Sequence, residues 1–222
     1  MSSEIPRNPI LRVNEPGDSP RLRMILDMPW LAATEIHRVL ALPWIRLRFL
    51  FLGVPWGRDW RILGMPMIQR HRNSRIRIGE RAVLRSWKSS NPLAPFHPVV
   101  LSTRSATAQI SIGNDFGMTG GSIVAAERIE IGNSVFVGAN VIIADTDFHP
   151  VSAAERQRDS QAGIVRPIVI EDHVFIGANS IILKGVRIGK GSVIGAGSVV
   201  VFDIPPNVIA AGNPARPLGG LS

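Results

Sequence analysis

The sequence predicts an all-β solenoid of about five or six triangular coils behind a helical N-terminal extension. Aliphatic residues recur every six positions through the C-terminal half: Ile170, Ile176, Ile182, Ile188, Ile194 and Val200. Apolar or small residues stand two positions before each of them, and an earlier run at Ile131, Val137 and Ile143 keeps the same spacing. Gly follows three of the main positions, as Gly177, Gly189 and Gly195. These three observations favour short strands joined by tight corners.

The six-residue spacing fits neither the 3.6-residue turn of an α-helix nor a plain hairpin meander. In a strand, alternate side chains point to opposite faces, so two apolar residues separated by one can both face a core. Glycine then permits the corner, where a positive φ is common. Three faces close one coil, and stacked coils share one core.

Residues 1–75 are predicted to form an N-terminal arm and a basic amphipathic helical extension. Proline-rich residues 1–20 indicate an irregular arm, and residues 21–52 contain a helical stretch. Residues 21–75 hold ten Arg against three acidic residues, and so carry most of the chain's net charge of +8. The apolar run 41–56 is too short and too interrupted by Pro and Arg to span a bilayer. It therefore either packs on the protein's own core or makes peripheral contact with a membrane.

The solenoid is predicted over residues 76–203, and a C-terminal tail, residues 204–222, is expected to pack on it. Two segments break the period, residues 84–105 and the polar loop 145–166. The second must leave the solenoid wall. Loops held by a rigid scaffold are common sites of chemistry, so loop 145–166 is where we expect a catalytic group.

Composition excludes several kinds of site. The chain has no Cys, which removes disulfides, zinc–thiolate sites and a thiol nucleophile. No secretory signal pattern is visible, so we expect a cytoplasmic protein. Its five His include no close pair, so no metal is expected. Basic charge alone is weak support for nucleic-acid binding, and no nucleic-acid module is visible.

Residues 170–179 and 193–200 resemble the hexapeptide-repeat acyltransferases. The ending Asp203-Ile204-Pro205-Pro206, followed by Ala211-Gly212-Asn213-Pro214-Ala215-Arg216, is similar to their terminal motif. The maltose, galactoside and polysaccharide O-acetyltransferases are the branch that this chain resembles most. The resemblance implies a left-handed parallel β-helix and a homotrimer with active sites between neighbouring solenoids.

The resemblance also implies a reaction, in which acetyl-CoA gives its acetyl group to a hydroxyl of a saccharide acceptor. His149, in loop 145–166, matches the position of the family's general base, and Asp145 or Asp147 could orient its ring. Asp147 is also a predicted acceptor contact. His97 and His173 are alternative bases.

The cofactor and acceptor positions are carried over in the same way. Ala178 and Ala196 match small residues beside the pantetheine arm, and Arg216 matches a contact to the nucleotide phosphates. Val201 and Phe202 replace a Thr-Lys pair at the cofactor site. Thr119 stands where the sugar acetyltransferases have an Asn that touches the acceptor.

Three alternatives stay open. The first is an N-acetyltransferase of an amino sugar or xenobiotic. The second is a metal-dependent hydratase on the same solenoid, like the γ-class carbonic anhydrases, which would need three converging His. The third is a non-catalytic β-helix scaffold, which would be expected to lack His149 and Arg216.

Overall fold

Three parallel sheets form the wall of this protein in a computed structural model that describes residues 27–221. Successive strands pass from the first sheet to the second and then the third, so the chain winds as a three-sided β-helix. The first sheet contains β1 (Arg61–Leu63), β4 (Val83–Arg85), β7 (Gly117–Thr119), β10 (Phe136–Val137), β13 (Phe175–Ile176), β16 (Val193–Ile194), β18 (Val208–Gly212) and β19 (Ala215–Gly220). The second contains β2 (Met67–Gln69), β5 (Val100–Thr103), β8 (Ser122–Ala125), β11 (Ile142–Ala144), β14 (Ile181–Ile182) and β17 (Val199–Val200). The third contains β3 (Arg75–Ile78), β6 (Gln109–Ile112), β9 (Arg128–Ile131), β12 (Ile168–Ile170) and β15 (Arg187–Ile188).

The repeated aliphatic residues form one continuous core. The second residue of each short C-terminal strand points inward and is fully buried, as in Ile176, Ile182 and Ile188, because neighbouring side chains alternate across a strand. The small residues between strands are also buried. Their hydroxyls donate to backbone carbonyls, for example Ser198 Oγ to the Gly195 oxygen at 2.6 Å, so the corners leave these polar groups satisfied.

The parallel ladders begin before residue 76, where we predicted the boundary. β1 pairs with β4, and β2 pairs with β5, each within the sheet that continues along the chain. Gly64 and Pro66 separate these two strands and replace the aliphatic residues that mark later corners. Ile62 and Ile68 keep the six-residue spacing and are buried, but Trp60 and Pro66 stand two positions before them, so this part of the wall lacks the paired small and aliphatic residues of the later coils.

A long helix, α1 (Pro29–Phe51), closes the N-terminal end of this core. It starts with Pro in the first turn, where the missing amide hydrogen costs nothing. Ile45 and Phe49 are buried, and the Phe49 ring packs edge-on against Trp56 and Trp60 with 5.5 Å between centroids. Among residues 27–221 no helix is both long enough and apolar enough to cross a bilayer. The predicted arm, residues 1–20, lies outside the described residues.

The two predicted interruptions are loops at corners of the wall. Residues 86–99 join β4 to β5 and include one turn of 3₁₀ helix, Lys88–Ser90. Residues 145–167 join β11 to β12 and include α2 (Ala153–Arg158). After the last coil the chain forms an antiparallel hairpin, in which β18 pairs with β16 and β19 pairs with β18.

Candidate active site

Two edges of the β-helix carry the residues that we predicted to be functional. The first edge is the corner between the first and second sheets, and the second edge is the corner between the second and third sheets. Loop 145–167 leaves the wall at the second edge, because β11 belongs to the second sheet and β12 to the third. The loop closes at its base, where Thr146 and Val165 form an antiparallel bridge and the Arg166 amide donates to the Asp145 carbonyl at 2.9 Å.

His149 lies exposed on this loop, and a backbone carbonyl holds its ring. Nδ1 lies 2.5 Å from the Ser160 carbonyl oxygen, which can only accept a hydrogen bond. The proton therefore belongs on Nδ1 in the neutral ring, and the lone pair is left on Nε2. We expected Asp145 or Asp147 to orient this ring, but the group that faces Nδ1 is the Ser160 carbonyl. A backbone acceptor has no side-chain signature, so sequence reasoning could not find it.

The Asp145 carboxylate is engaged elsewhere. It is fully buried and accepts three backbone N–H groups from the corner of the preceding coil: Ala126 at 2.6 Å, Glu127 at 2.8 Å and Arg128 at 2.8 Å. Both oxygens are used, so neither is left for His149. The side chain anchors the point at which the loop leaves the wall.

Asp147 forms an ion pair with Lys184, a contact that the sequence did not predict. The Lys184 ammonium, on the second edge just after β14, donates to Asp147 Oδ1 at 2.6 Å. Asp147 Oδ2 is inaccessible to solvent and has no hydrogen-bond partner among the described residues. The Asp147 carbonyl also accepts the His149 amide at 2.7 Å, so the ion pair fixes the backbone immediately before the histidine.

Phe202 and Arg216 meet near the last turn of the second edge. The Arg216 guanidinium carbon lies 4.2 Å from the centroid of the Phe202 ring, and both side chains are exposed. Phe202 lies next to Lys184 on this edge, because β14 and β17 are adjacent strands in register. The stack therefore lies on the same edge as the His149 loop.

The other predicted positions lie on the first edge. Ala178 and Ala196 follow β13 and β16, and a Cβ on Gly177 would come within 2.5 Å of the Ala196 nitrogen. Thr119 ends β7 and accepts a 3.3 Å hydrogen bond from Asn91 in the 86–99 loop. Because Asn140 accepts the Phe96 amide at 2.8 Å, that loop is held against the first edge.

Within one chain, therefore, the predicted site is divided. His149, Asp147, Phe202 and Arg216 lie on the second edge, and Thr119, Ala178 and Ala196 lie on the first. His97 lies in the 86–99 loop with Nδ1 2.7 Å from the Pro98 oxygen, and His173 is exposed at the third corner with a φ of +61°. Across residues 27–221 no three His, Asp or Glu side chains are grouped to hold a metal ion.

Comparison with known proteins agrees with this architecture. Residues 167–201 match the family described as the hexapeptide repeat of succinyl-transferase. This part of the chain is similar to the hexapeptide repeat. The three parallel sheets and the match to this repeat together imply a left-handed β-helix.

Proteins to which this chain is similar include named acetyltransferases. The galactoside O-acetyltransferase of Lactococcus lactis is 54% identical over 93 residues, which cover 42% of this chain and 44% of that enzyme. The chain spans about half the length of the curated relatives it matches.

Two solved structures share the fold. The polysialic acid O-acetyltransferase OatWY has a TM-score of 0.60 at 24% identity, with 75% of this chain and 74% of that chain covered. A variant of AntD, an N-acyltransferase from Bacillus cereus in complex with dTDP and coenzyme A, has a TM-score of 0.56 at 18% identity, with 76% and 83% covered. The predicted resemblance to the hexapeptide-repeat acyltransferases is confirmed.

Proposed function

We propose that this protein is a CoA-dependent acyltransferase that moves an acetyl group from acetyl-CoA to a hydroxyl of a sugar or polysaccharide precursor. The observation that carries the proposal is His149, held on an exposed loop by the Ser160 carbonyl with Nε2 free. The name of the Lactococcus relative, a galactoside O-acetyltransferase, supports the reaction class. An acceptor assembled near a membrane would suit the basic N-terminal segment.

The geometry of His149 suits direct transfer. Nε2 accepts the proton of the acceptor hydroxyl while that oxygen attacks the thioester carbonyl. The tetrahedral intermediate then collapses, the C–S bond breaks, and the CoA thiolate takes the proton back from Nε2. The Ser160 carbonyl keeps the tautomer and stabilises the imidazolium that forms between the two steps, which is the role we had assigned to Asp145 or Asp147.

Acetyl-CoA fits residues on both edges. The exposed Arg216 guanidinium can contact nucleotide phosphates, and the Phe202 ring beneath it offers a flat apolar surface. Small side chains at Ala178 and Ala196 allow a pantetheine arm to approach the wall closely. The developing oxyanion needs a backbone N–H donor, for which Gly120 and Ala178 are candidates; because the Gly120 amide already donates to the Arg85 carbonyl at 2.8 Å, the Ala178 amide is the donor we propose.

A homotrimer would complete the divided site. Trimer packing would place the first edge of one protomer beside the second edge of the next. His149 and Arg216 of one chain would then face Thr119, Ala178 and Ala196 of another. Thr119, with Asn91 bonded to its hydroxyl, would meet the acceptor there.

The test is steady-state transfer from acetyl-CoA to a panel of saccharides, with His149→Ala as the variant. We expect kcat to fall about 10²-fold or more, as for a lost general base, while acetyl-CoA affinity measured by calorimetry changes little. The matched control is His173→Asn, which alters another exposed histidine and keeps a residue type that tolerates a positive φ.

Full activity of His149→Ala would overturn the assignment of the base. The identity of the product distinguishes the open alternative, since transfer to amino sugars with no reaction at hydroxyls would make the enzyme an N-acetyltransferase. Failure of the wild-type protein to bind acetyl-CoA would instead favour the third alternative, a non-catalytic β-helix scaffold.

A further inference from the structure

Helix α1 is apolar on the side that faces away from the β-helix. Large apolar side chains are exposed along it: Ile36, Val39, Leu40, Trp44, Leu47, Leu50 and Phe51. Exposed fractions reach 70% for Trp44 and 79% for Phe51. These residues define the outer face of α1.

The spacing places these residues on one side of the helix. They recur every three or four positions, which is one stripe on a helix of 3.6 residues per turn. Ile45 and Phe49 lie on the opposite side and are buried against the end of the core. α1 therefore satisfies its packing role with one face and carries a second apolar face that this packing does not use.

Cations border this stripe on both sides. Arg46 and Arg48 are exposed and fall on opposite flanks of the outer face at 3.6 residues per turn. The acidic residue of α1, Glu35, is already bonded to Arg38 at 2.8 Å and to Arg61. Neither Arg46 nor Arg48 forms an ion pair with any residue in the described part of the chain, although the Arg46 guanidinium carbon lies 5.1 Å from the centroid of the Trp56 ring. The outer face of α1 is therefore complementary to a surface that is apolar at its centre and acidic at its margin.

We propose that the outer face of α1 docks this protein on an anionic lipid surface, with the helix lying in the plane of the interface. The apolar stripe would enter the boundary between headgroups and acyl chains. Trp44 suits that boundary because its ring is apolar and its N–H can stay hydrated. Arg46 and Arg48 would extend their apolar stems along the stripe and place their guanidinium groups among acidic headgroups.

Charge argues against a second copy of this helix as the occupant. If the outer faces of two copies packed together, Arg46 and Arg48 of one copy would lie near Arg46 and Arg48 of the other. Glu35, the acidic residue of α1, is already paired with Arg38 and Arg61, so neither copy of α1 would neutralise these cations. An anionic bilayer supplies both the apolar interior and the compensating charge.

The experiment is co-sedimentation of the full-length protein with phosphatidylcholine vesicles and with vesicles containing about one third phosphatidylglycerol, in the absence of acetyl-CoA and acceptor. We expect binding to the anionic vesicles, weaker at about 0.5 M salt than at about 0.05 M, and little binding to phosphatidylcholine alone. Leu40→Ser/Leu47→Ser should lower the partition coefficient about ten-fold or more, because both side chains leave the lipid. Arg46→Gln/Arg48→Gln should remove the preference for anionic vesicles.

Matched controls separate this face from general surface changes. Leu93→Ser/Leu218→Ser removes two other exposed leucines, and Arg128→Gln/Arg187→Gln removes two cations from the third sheet. Both controls should bind vesicles as the wild type does. Absence of wild-type binding, or equal loss in the controls, overturns the proposal. A change in oligomeric mass on light scattering in Leu40→Ser/Leu47→Ser, with no vesicle binding by the wild type, would assign the face to a second copy instead.

Discussion

At the scale of single residues, the two aspartates of the loop have different tasks although they are two positions apart. Asp145 faces inward and stabilises the wall through three backbone N–H groups. Asp147 faces Lys184 and holds the turn that leads to His149. Residues two positions apart on a regular strand would share a face, so the two carboxylates separate because the chain leaves the wall after β11 ends at Ala144.

Replacement of Asp145 by Ala should therefore cost stability before it affects chemistry. Three backbone donors would lose their acceptor in a site closed to solvent, and each unsatisfied buried donor costs about 1–3 kcal/mol. We expect the free energy of unfolding to fall by at least about 3 kcal/mol in urea titrations. A variant of wild-type stability and reduced kcat would instead make Asp145 part of the catalytic machinery.

Sequence reasoning reached the His149 loop but not its partners. A lone histidine in a polar segment that interrupts a regular repeat is a visible signal. The Ser160 carbonyl leaves no signal, because every residue has one. Lys184 could have been found, since it occupies the same corner register as Phe202 in a part of the chain that is otherwise aliphatic.

At the scale of elements, the six-residue period predicted the C-terminal strands because each coil there repeats one strand-and-corner pattern without insertion. The pattern is harder to recognise between Gly57 and Ser74, because only Ile62 and Ile68 keep the spacing and Trp60 and Pro66 replace the usual residues two positions before them. The N-terminal boundary of the wall was therefore predicted too late in the chain by two strands, β1 and β2. The outer face of α1 was also hidden, because an apolar helix does not reveal which side is buried.

The contact between α1 and the core is expected to contribute strongly to stability. Phe49 is fully buried between Trp56 and Trp60, so Phe49→Ala should lower the free energy of unfolding by about 3–5 kcal/mol. The matched control Phe51→Ala, exposed on the same helix, should stay within about 0.5 kcal/mol of wild type. Equal effects of the two changes would mean that α1 does not cap the core in solution.

At the scale of the whole molecule, the separation of the two edges means that a complete active site would need residues from two protomers. If each active site combines edges from two protomers, then His149→Ala and Ala178→Trp should each be inactive alone. Mixed trimers formed by co-refolding equal amounts should regain activity, because about one quarter of the sites would combine two intact edges. Activity no higher than that of either variant alone would place the complete site within one chain.

Acid should lower the free energy of unfolding through carboxylates at the third corner, which lies between the third and first sheets. The Asn133 amide, which donates to Asp172 at 2.6 Å, lowers the pKa of that carboxyl, and the Lys190 amide followed by Arg187 lowers the pKa of Glu171. A carboxyl whose pKa is lower in the folded than in the unfolded state stabilises the fold at pH values above its unfolded pKa, which is about 4. This contribution is lost as the pH falls through the folded pKa. In urea titrations between pH 3 and 7, the free energy of unfolding of Glu171→Gln/Asp172→Asn should therefore fall less on acidification than that of wild type. The same pH dependence in the variant and in wild type would refute this prediction.

The two ends of the wall are closed by different means. α1 packs over β1 at one end, and at the other the chain reverses in the hairpin β18–β19, whose strands run antiparallel. A stack of parallel strands with open ends would be a template on which another molecule could add its own first coil, end to end, without limit. Because the first sheet ends beneath a helix on one side and in an antiparallel strand on the other, that sheet offers no continuing parallel ladder, which opposes the stacking that such a filament would need.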